Sequence, residues 1–411
     1  MRILLITQWF DPEPTFKGLL FARELVRRGH SVTVLTGFPN YPGGKIYPGY
    51  KIRPWKREVI DGVDVLRVAL FPSHSRSGIA RAANYLSFAV TATIGALLLR
   101  RPDVAYLYHP PGTVGLAALA LKILKRVPFI IDIQDMWPDT LGATGMLSNR
   151  RILSAIGALM STIYRAAAHI VVLSPGFGRL LAERGVSTAK VTVIPNWTYD
   201  VPVPRDADGQ MQPILADGFN ILFAGTMGYA QALDVVLEAA ALLREQAPDV
   251  RFVFVGSGID KERLQTQAAK LGLDRVVFLP RRAPSEMPQV FNEADALLVH
   301  LRRDPLFEIT IPSKTQAYLQ AGRPILMGVD GDAKDIVTAA HAGIPFSPED
   351  PQALADAVLS LRALPADVRG EMGRSGRRYY DEQLSIATGV DRFASLFEQV
   401  LARSRRTARR S

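Results

Sequence analysis

Residues 1–36 read MRILLITQWFDPEPTFKGLLFARELVRRGHSVTVLT. Their order decides the fold. Residues 3–7 are a short apolar run of the kind that is buried on both faces of a sheet. Residues 10–18, FDPEPTFKG, mix prolines with a glycine, which is turn chemistry. A helical stretch follows and ends at Gly29-His30, where His30 reads as a turn residue. Residues 31–36 are a second β-branched run. Strand, loop, helix and strand make the crossover unit of a parallel sheet.

The alternation continues outward from there. Further strand-like runs in the first half are residues 65–70, 104–108, 129–133, 169–173 and 191–194. The second half repeats the pattern with 219–224, 251–255, 276–279, 296–299, 324–327 and 344–346. The reading is α/β: two Rossmann-like, doubly wound parallel-sheet domains facing an interdomain cleft. Residues 1–200 form the first domain and 201–385 the second. A linker lies between Pro195 and Gly218, marked by VPVP at 201–204 and DADG at 206–209. Residues 386–401 read as an amphipathic helix, with Phe393, Leu396, Phe397, Val400 and Leu401 three or four apart. That helix is expected to pack back on the first domain, ahead of a disordered basic tail ending the chain at 411.

Composition narrows the function. The chain has 411 residues, 48% apolar and 21% charged, the balance of a folded protein. With no cysteine there is no disulfide scaffold, thiolate metal site or cysteine nucleophile. The net charge of +10 is uneven. Residues 1–200 hold 24 Lys and Arg against 12 Asp and Glu, whereas residues 201–400 hold 20 against 27. A basic face suits nucleic acid, an anionic membrane or a phosphorylated ligand. The dispersed basic excess, without an aromatic-basic motif, argues against nucleic acid.

The apolar run after Arg2 is too short for a signal peptide, so a cytoplasmic chain is expected. The glycosylation pattern at Asn196-Trp197-Thr198 is then accidental. Residues 82–99 carry no charge between Arg81 and Arg100-Arg101. Three readings stay open for them: a packed helix, a helix lying in the membrane interface, or a span.

Ligands of open α/β sheets bind beyond the carboxyl ends of the strands, so the loops there hold the candidates. In the first half these are Phe16, Lys17 and Gly18 beside a helix start. The aromatic and glycine-rich loop 37–44, with Asn40 and Tyr41, is a candidate acceptor wall. His109 enters a Pro/Gly loop, as a site residue or a structural one, and Asp135 stands after residues 129–133. In the second half Gly225, Thr226 and Gln231 follow the first strand and Gly256 the second, with glycines that let a diphosphate approach the backbone. Arg281 offers a guanidinium plane to a base. Glu308 precedes Ser313 and Lys314 at a helix start, which is an anion site. Four such loops on one edge of an acidic domain suggest a nucleotide diphosphate.

The residues carry a resemblance over nearly the whole chain. FDPE at 10–13, RRGHSVTVLTGFPNYPGG at 27–44, DMWPD at 135–139 and IPSKTQAYLQAGRPIL at 311–326 resemble retaining glycosyltransferases of family 4, with the GT-B fold. Within that family the chain is similar to the transferases of bacterial surface polysaccharides, of O-antigen and colanic-acid type. The resemblance implies transfer of a sugar from a nucleotide diphosphate sugar, UDP favoured, to a glycan on undecaprenyl diphosphate. It implies retention, no metal or other cofactor, and a peripheral place on the anionic inner-membrane surface.

By the same resemblance His109 touches the donor sugar and Asp135 lies near the reacting centre. Gly18 matches the glycine of the first loop, and Ser313 and Lys314 face the phosphate. Two departures stand out. The family's pair of Glu eight apart would fall at Ile309 and Ala317, while Glu308 and Gln316 have that spacing one residue earlier. The family's Arg and Lys after the second domain's first strand are replaced near Thr226 and Gln231. Neutralising the diphosphate then falls to Lys314 and backbone N–H groups, with Lys17 or Arg302 as further cations. The alternatives are a catalytically weakened GT-B-like binding subunit of an assembly complex, and a nucleotide-sugar epimerase.

Overall fold

Arg2–Ile6 (β1) carries Ile3, Leu4, Leu5 and Ile6, none more than 2% exposed. A strand covered on both faces belongs to the centre of a parallel α/β layer. The structure is a computed structural model that describes residues 1–73, 77–143, 147–198 and 214–408. The expected linker segments at 201–204 and 206–209 lie outside the described residues.

After β1 the chain forms α1 (Leu19–Arg27), β2 (Ser31–Gly37), β3 (Trp55–Ile60), β4 (Val63–Val68), α2 (Gly78–Leu98) and β5 (Val104–His109). It continues through α3 (Gly115–Lys125), β6 (Phe129–Ile133), α4 (Asp139–Ala143), α5 (Arg150–Ala166), β7 (His169–Val172), α6 (Pro175–Glu183) and β8 (Val191–Val193). Then come β9 (Phe219–Thr226), α7 (Asp234–Gln246), β10 (Val250–Ser257), α8 (Lys261–Lys270), β11 (Val276–Leu279), α9 (Met287–Glu293) and β12 (Ala296–His300). The last elements are α10 (Pro305–Glu308), α11 (Ser313–Ala321), β13 (Ile325–Gly328), α12 (Asp332–Ala339), β14 (Gly343–Pro345), α13 (Pro351–Ala363), α14 (Ala366–Tyr379) and α15 (Ile386–Ala408).

Two compact units result, Met1–Pro195 with Gly389–Ser411, and Asn196–Thr388. The first sheet runs β3-β4-β2-β1-β5-β6-β7-β8. It is parallel except for the β3–β4 pair. Leu4 pairs with Thr33 of β2 on one side and Ala105 of β5 on the other. The winding direction reverses between β1 and β5, and that switch point opens a crevice at the carboxyl ends. The second sheet, β11-β10-β9-β12-β13-β14, is parallel throughout and reverses between β9 and β12.

All thirteen runs read from the sequence lie on observed strands, and β3 is the addition. Its sequence, Trp55-Lys56-Arg57-Glu58-Val59-Ile60, has no continuous apolar run because it is a half-exposed edge. Glu58 holds it in place by pairing with Lys56 and Arg67, both at 2.6 Å. No described helix is long and apolar enough to cross a membrane, α2 included. The basic tail is also corrected: α15 stays helical through Ala408.

Inside the first unit α15 covers a buried charge pair. Lys17 Nζ lies 2.6 Å from Asp132 Oδ2, and both side chains are fully buried. Tyr106 donates its hydroxyl to the same oxygen at 2.5 Å, and Gln134 Nε2 donates to Oδ1 at 2.8 Å. The ring of Phe393 stands 5.1 Å from the ammonium and packs edge-on against Phe21 and Tyr106. Lys17, expected on the acceptor side, is therefore structural. Its charge is spent on Asp132, and its side chain is closed off from the surface.

Removing one partner leaves the other charge buried and unpaired, which costs about 3–5 kcal/mol. Urea unfolding of Lys17→Met should show a loss of that size, with most of it recovered in Lys17→Met/Asp132→Asn. A single-variant loss near zero would contradict the pairing. Phe393→Ala, which empties the fully buried lid, should cost about 3–5 kcal/mol by the same measurement.

Candidate active site

In the first unit the site residues gather at the carboxyl edge beside the β1/β5 switch. The loop after β1 is folded by its own acids. Asp11 Oδ2 accepts the N–H of Leu19 at 2.6 Å, at the start of α1. A Cβ on Gly18 would stand 2.2 Å from that oxygen, so a side chain there would displace the Asp11 carboxylate from the start of α1. Glu13 is buried and accepts N–H groups of Phe10, Asn40 and Tyr41 at 3.0, 2.6 and 2.7 Å, tying the loops after β1 and β2 together. Burial raises its pKa against the pull of those donors and of Arg67. Asn40, expected on the acceptor wall, is 2% exposed and donates to the carbonyl of Phe38. It braces the wall from behind.

His109 ends β5 and is fully buried. Apart from its own backbone, neither ring nitrogen meets a hydrogen-bond partner among the described residues. Burial lowers its pKa to about 3, so the ring is neutral. It stands edge-on to Trp137 at 5.5 Å, and Trp137 packs on Tyr85 of α2 at 5.9 Å. Trp9 and Tyr41 pack at 4.7 Å on the same edge. Asp135 is half-buried, and burial raises its pKa. Tyr85, whose pKa burial raises, also feels the charges of Arg81, Tyr41 and Asp135. His109, Asp135 and Tyr41 thus share an aromatic-walled edge that includes Tyr85 and Trp137. Phe16 is half-buried on the loop after β1.

In the second unit the site gathers at the β9/β12 switch. Gly225 and Thr226 end β9 and are exposed. Gly225 has φ +132°, and a Cβ there would meet Lys314 Cε at 2.9 Å and Nζ at 3.1 Å. Lys314 opens α11. Its Nζ lies 4.6 Å from the centre of the Phe223 ring and has no ion-pair partner among the described residues. Burial lowers its pKa to about 8. Ser313 beside it is exposed at the helix N-terminus, where backbone N–H groups lack intrahelical acceptors. The geometry is pinned by Tyr318, one turn further along α11, whose hydroxyl accepts the Ala224 N–H at 2.9 Å.

Three expected donor contacts change role. Gly256 is buried, and a Cβ on it would lie 2.1 Å from the Gly225 carbonyl oxygen. It lets β10 approach β9 closely. Gln316 is 3% exposed, and its amide nitrogen reaches the carbonyls of Pro312 and Ser313 at 2.9 and 3.3 Å. It is spent inside its own helix. Gln231 accepts the Gly228 N–H at 2.9 Å and so closes the turn after β9. Arg281 is exposed on the loop after β11, and Glu308 is exposed at the last residue of α10.

His300 was not read from the sequence. Its Nε2 accepts the Glu349 N–H at 3.1 Å, so Nδ1 carries the proton and donates to the Gln231 carbonyl at 2.8 Å. Its position at the end of β12 was the available signal for it. Tyr318 was not read either, and its signal was its place four residues beyond Lys314 on the same helix. Among the described residues no group of three His, Asp or Glu side chains could hold a metal.

Comparison with known proteins places this geometry. Residues 19–197 match the model of the glycosyl transferase 4-like domain, and residues 218–363 that of the glycosyl transferases group 1. WcaI of Escherichia coli (strain K12), named for colanic acid biosynthesis as a glycosyl transferase, is 28% identical over 343 residues, 78% of this chain and 82% of that protein. The D-inositol 3-phosphate glycosyltransferase of Saccharomonospora viridis is 27% identical over 217 residues, half of this chain and 49% of that protein. Among solved structures, trehalose 6-phosphate synthase of Burkholderia multivorans superposes with a TM-score of 0.72 at 15% identity, over 99% of this chain and 98% of that one. Anabaena HepE in complex with UDP-glucose gives 0.67 at 16% identity, over 97% and 100%. With two parallel-sheet domains and a glycosyltransferase model matched in each, the chain belongs to the GT-B glycosyltransferases of family 4.

Proposed function

We propose that the chain transfers a sugar from a UDP-sugar to a glycan carried on undecaprenyl diphosphate, with retention and without a metal, in bacterial surface-polysaccharide synthesis. The working place is the cytoplasmic face of the inner membrane, with the protein held peripherally. The observation that carries the donor half is Lys314, a largely buried ammonium without a carboxylate partner among the described residues, set beside the exposed Gly225. Such a group is stabilised only when an anion arrives. The first-turn N–H groups of α11 and the open backbone at Gly225 add donors to the same anion. The name of WcaI supports the polysaccharide reading, and the UDP-glucose bound to HepE supports the donor class.

The chemistry follows from these groups. The bond from the anomeric carbon to the diphosphate oxygen breaks, and the acceptor oxygen bonds to that carbon on the same face. The acceptor's proton passes to the departing phosphate. Charge grows on that phosphate, so a fixed cation and fixed N–H groups lower the barrier. Neutral His109 is enclosed behind Trp137 and shapes that edge of the site without presenting a ring N–H to the sugar, and Asp135, half-buried, serves near the reacting centre. Asp132 takes no part, since Lys17, Tyr106 and Gln134 occupy its oxygens.

Lys314→Met separates function from structure. It should lower kcat/KM by about 10²–10³ while raising the melting temperature, because an unpaired buried ammonium is removed. Unchanged turnover would overturn the assignment. UDP affinity should fall as pH rises through about 8, where the free ammonium loses its proton, and the fall should be absent in Lys314→Met. Titration calorimetry across that range reads the effect. With a pKa of about 3, His109 supplies no limb near neutrality. A kcat/KM limb near the ordinary histidine value that vanishes in His109→Gln would contradict the neutral ring. A UDP-induced rise in melting temperature without any transfer would favour the binding-subunit reading.

A further inference from the structure

Helix α2 exposes Gly78, Ile79, Ala82, Leu86, Val90, Ile94 and Leu98, and every exposed position on it is apolar. From Ala82 the spacing is four throughout, so these side chains form one stripe. Between Ile79 and Leu98 it runs roughly 28 Å at the helical rise. The large members are 54–85% exposed. An exposed helix face normally carries polar residues, and this one keeps them to its half-buried flanks. The hydroxyls there turn inward: Thr93 donates to the Ala89 carbonyl at 2.7 Å and Thr91 to Ala69 at 2.7 Å.

The stripe continues onto the sheet edge. Trp55 and Val59 of β3 are each 67% exposed on one face, with Arg57 between them. A groove of about 630 Å³ separates that edge from α2, lined by Trp55, Leu66, Ile94 and Leu98 among others. Arg53 and Arg57 are the only charged residues lining it, and neither has an ion-pair partner among the described residues. Arg100 stands exposed just past the end of α2. The patch is therefore apolar in the middle and cationic at its rim. A two-fold pairing with a second copy would bring these arginines towards their own kind. A surface of lipid phosphates over acyl chains complements both parts at once.

We infer that the α2 stripe and the β3 groove dock this protein on an anionic lipid bilayer. The helix lies in the interface with its stripe among the acyl chains, and Arg53, Arg57 and Arg100 face lipid phosphates. The inference rests on the lipid-linked acceptor reading only for its purpose. Tyr85, on the same helix, reaches the aromatic site edge through Trp137, so docking also places the site near the membrane surface.

The test uses the full chain and phosphatidylcholine vesicles with or without phosphatidylglycerol. The protein should sediment with the anionic vesicles and be released by salt. Leu86→Ser/Val90→Ser/Ile94→Ser should weaken binding by at least about tenfold. Arg53→Glu/Arg57→Glu should abolish the preference for phosphatidylglycerol. Ile259→Ser, exposed on the second unit, should change nothing, and unchanged melting temperatures certify the folds. Wild-type indifference to vesicles, or full binding by the stripe variant, overturns the proposal. So does a dimer in sedimentation equilibrium that the stripe variant dissociates. UDP binding on the same samples separates the two readings. Lost vesicle binding with UDP binding intact in the wild type sinks only the docking, whereas vesicle binding without any UDP response sinks the donor reading and leaves the docking in place.

Discussion

An ammonium and a carboxylate shut away from water, Lys17 and Asp132, hold the first domain's site in shape. Neither could be buried alone, because an unpaired charge in the interior costs several kcal/mol. The pair joins the loop after β1 to the carboxyl end of β6. It also needs a roof, which Phe393 of α15 supplies from the far end of the chain. Three segments distant in sequence thus become one rigid support. With Asp132 saturated, Asp135 is left as the half-buried carboxyl on this edge. With Lys17 spent, the positive charge for an anionic ligand has to come from elsewhere.

The second domain supplies it by an opposite device. Among the described residues Lys314 has no ion-pair partner, and its pKa falls to about 8 because burial acts on it. Room for the side chain comes from the missing Cβ at Gly225, and Gly256 lets the neighbouring strand press up behind. Tyr318 then bonds the end of β9 to α11, so the cation and the open backbone keep their separation. One lysine is stabilised by its partner and serves the fold. The other has none among the described residues and fits the anion-binding role proposed for it. That contrast is the physical content of the donor-site assignment.

The strand–helix alternation and the thirteen apolar strands were legible in the sequence, because continuous burial on both faces writes itself as an uninterrupted apolar run. The loops bearing His109, Asp135, Gly225 and Lys314 were legible as well, because strand ends mark where ligands bind. The edge strand β3 was not, since half exposure replaces such a run with Trp-Lys-Arg-Glu. Asn40 on its loop, Gly256 at the end of β10 and Gln316 in the first turn of α11 stood at the ligand edge, and each is taken up by a contact within the protein. Whether a polar or small residue faces a ligand or a neighbouring backbone depends on partners far away in the chain.

The local pattern of residues by itself determined two parallel α/β domains, where their ligand edges lie, and which residue types line them. Tertiary structure alone decided which of two lysines is committed, which amides are spent within the protein, and that the uncharged helix α2 turns an apolar stripe outward. The reason is that periodicity records one residue's burial averaged over its own element. Pairing, orientation and the sharing of hydrogen bonds exist only between elements that the chain brings together.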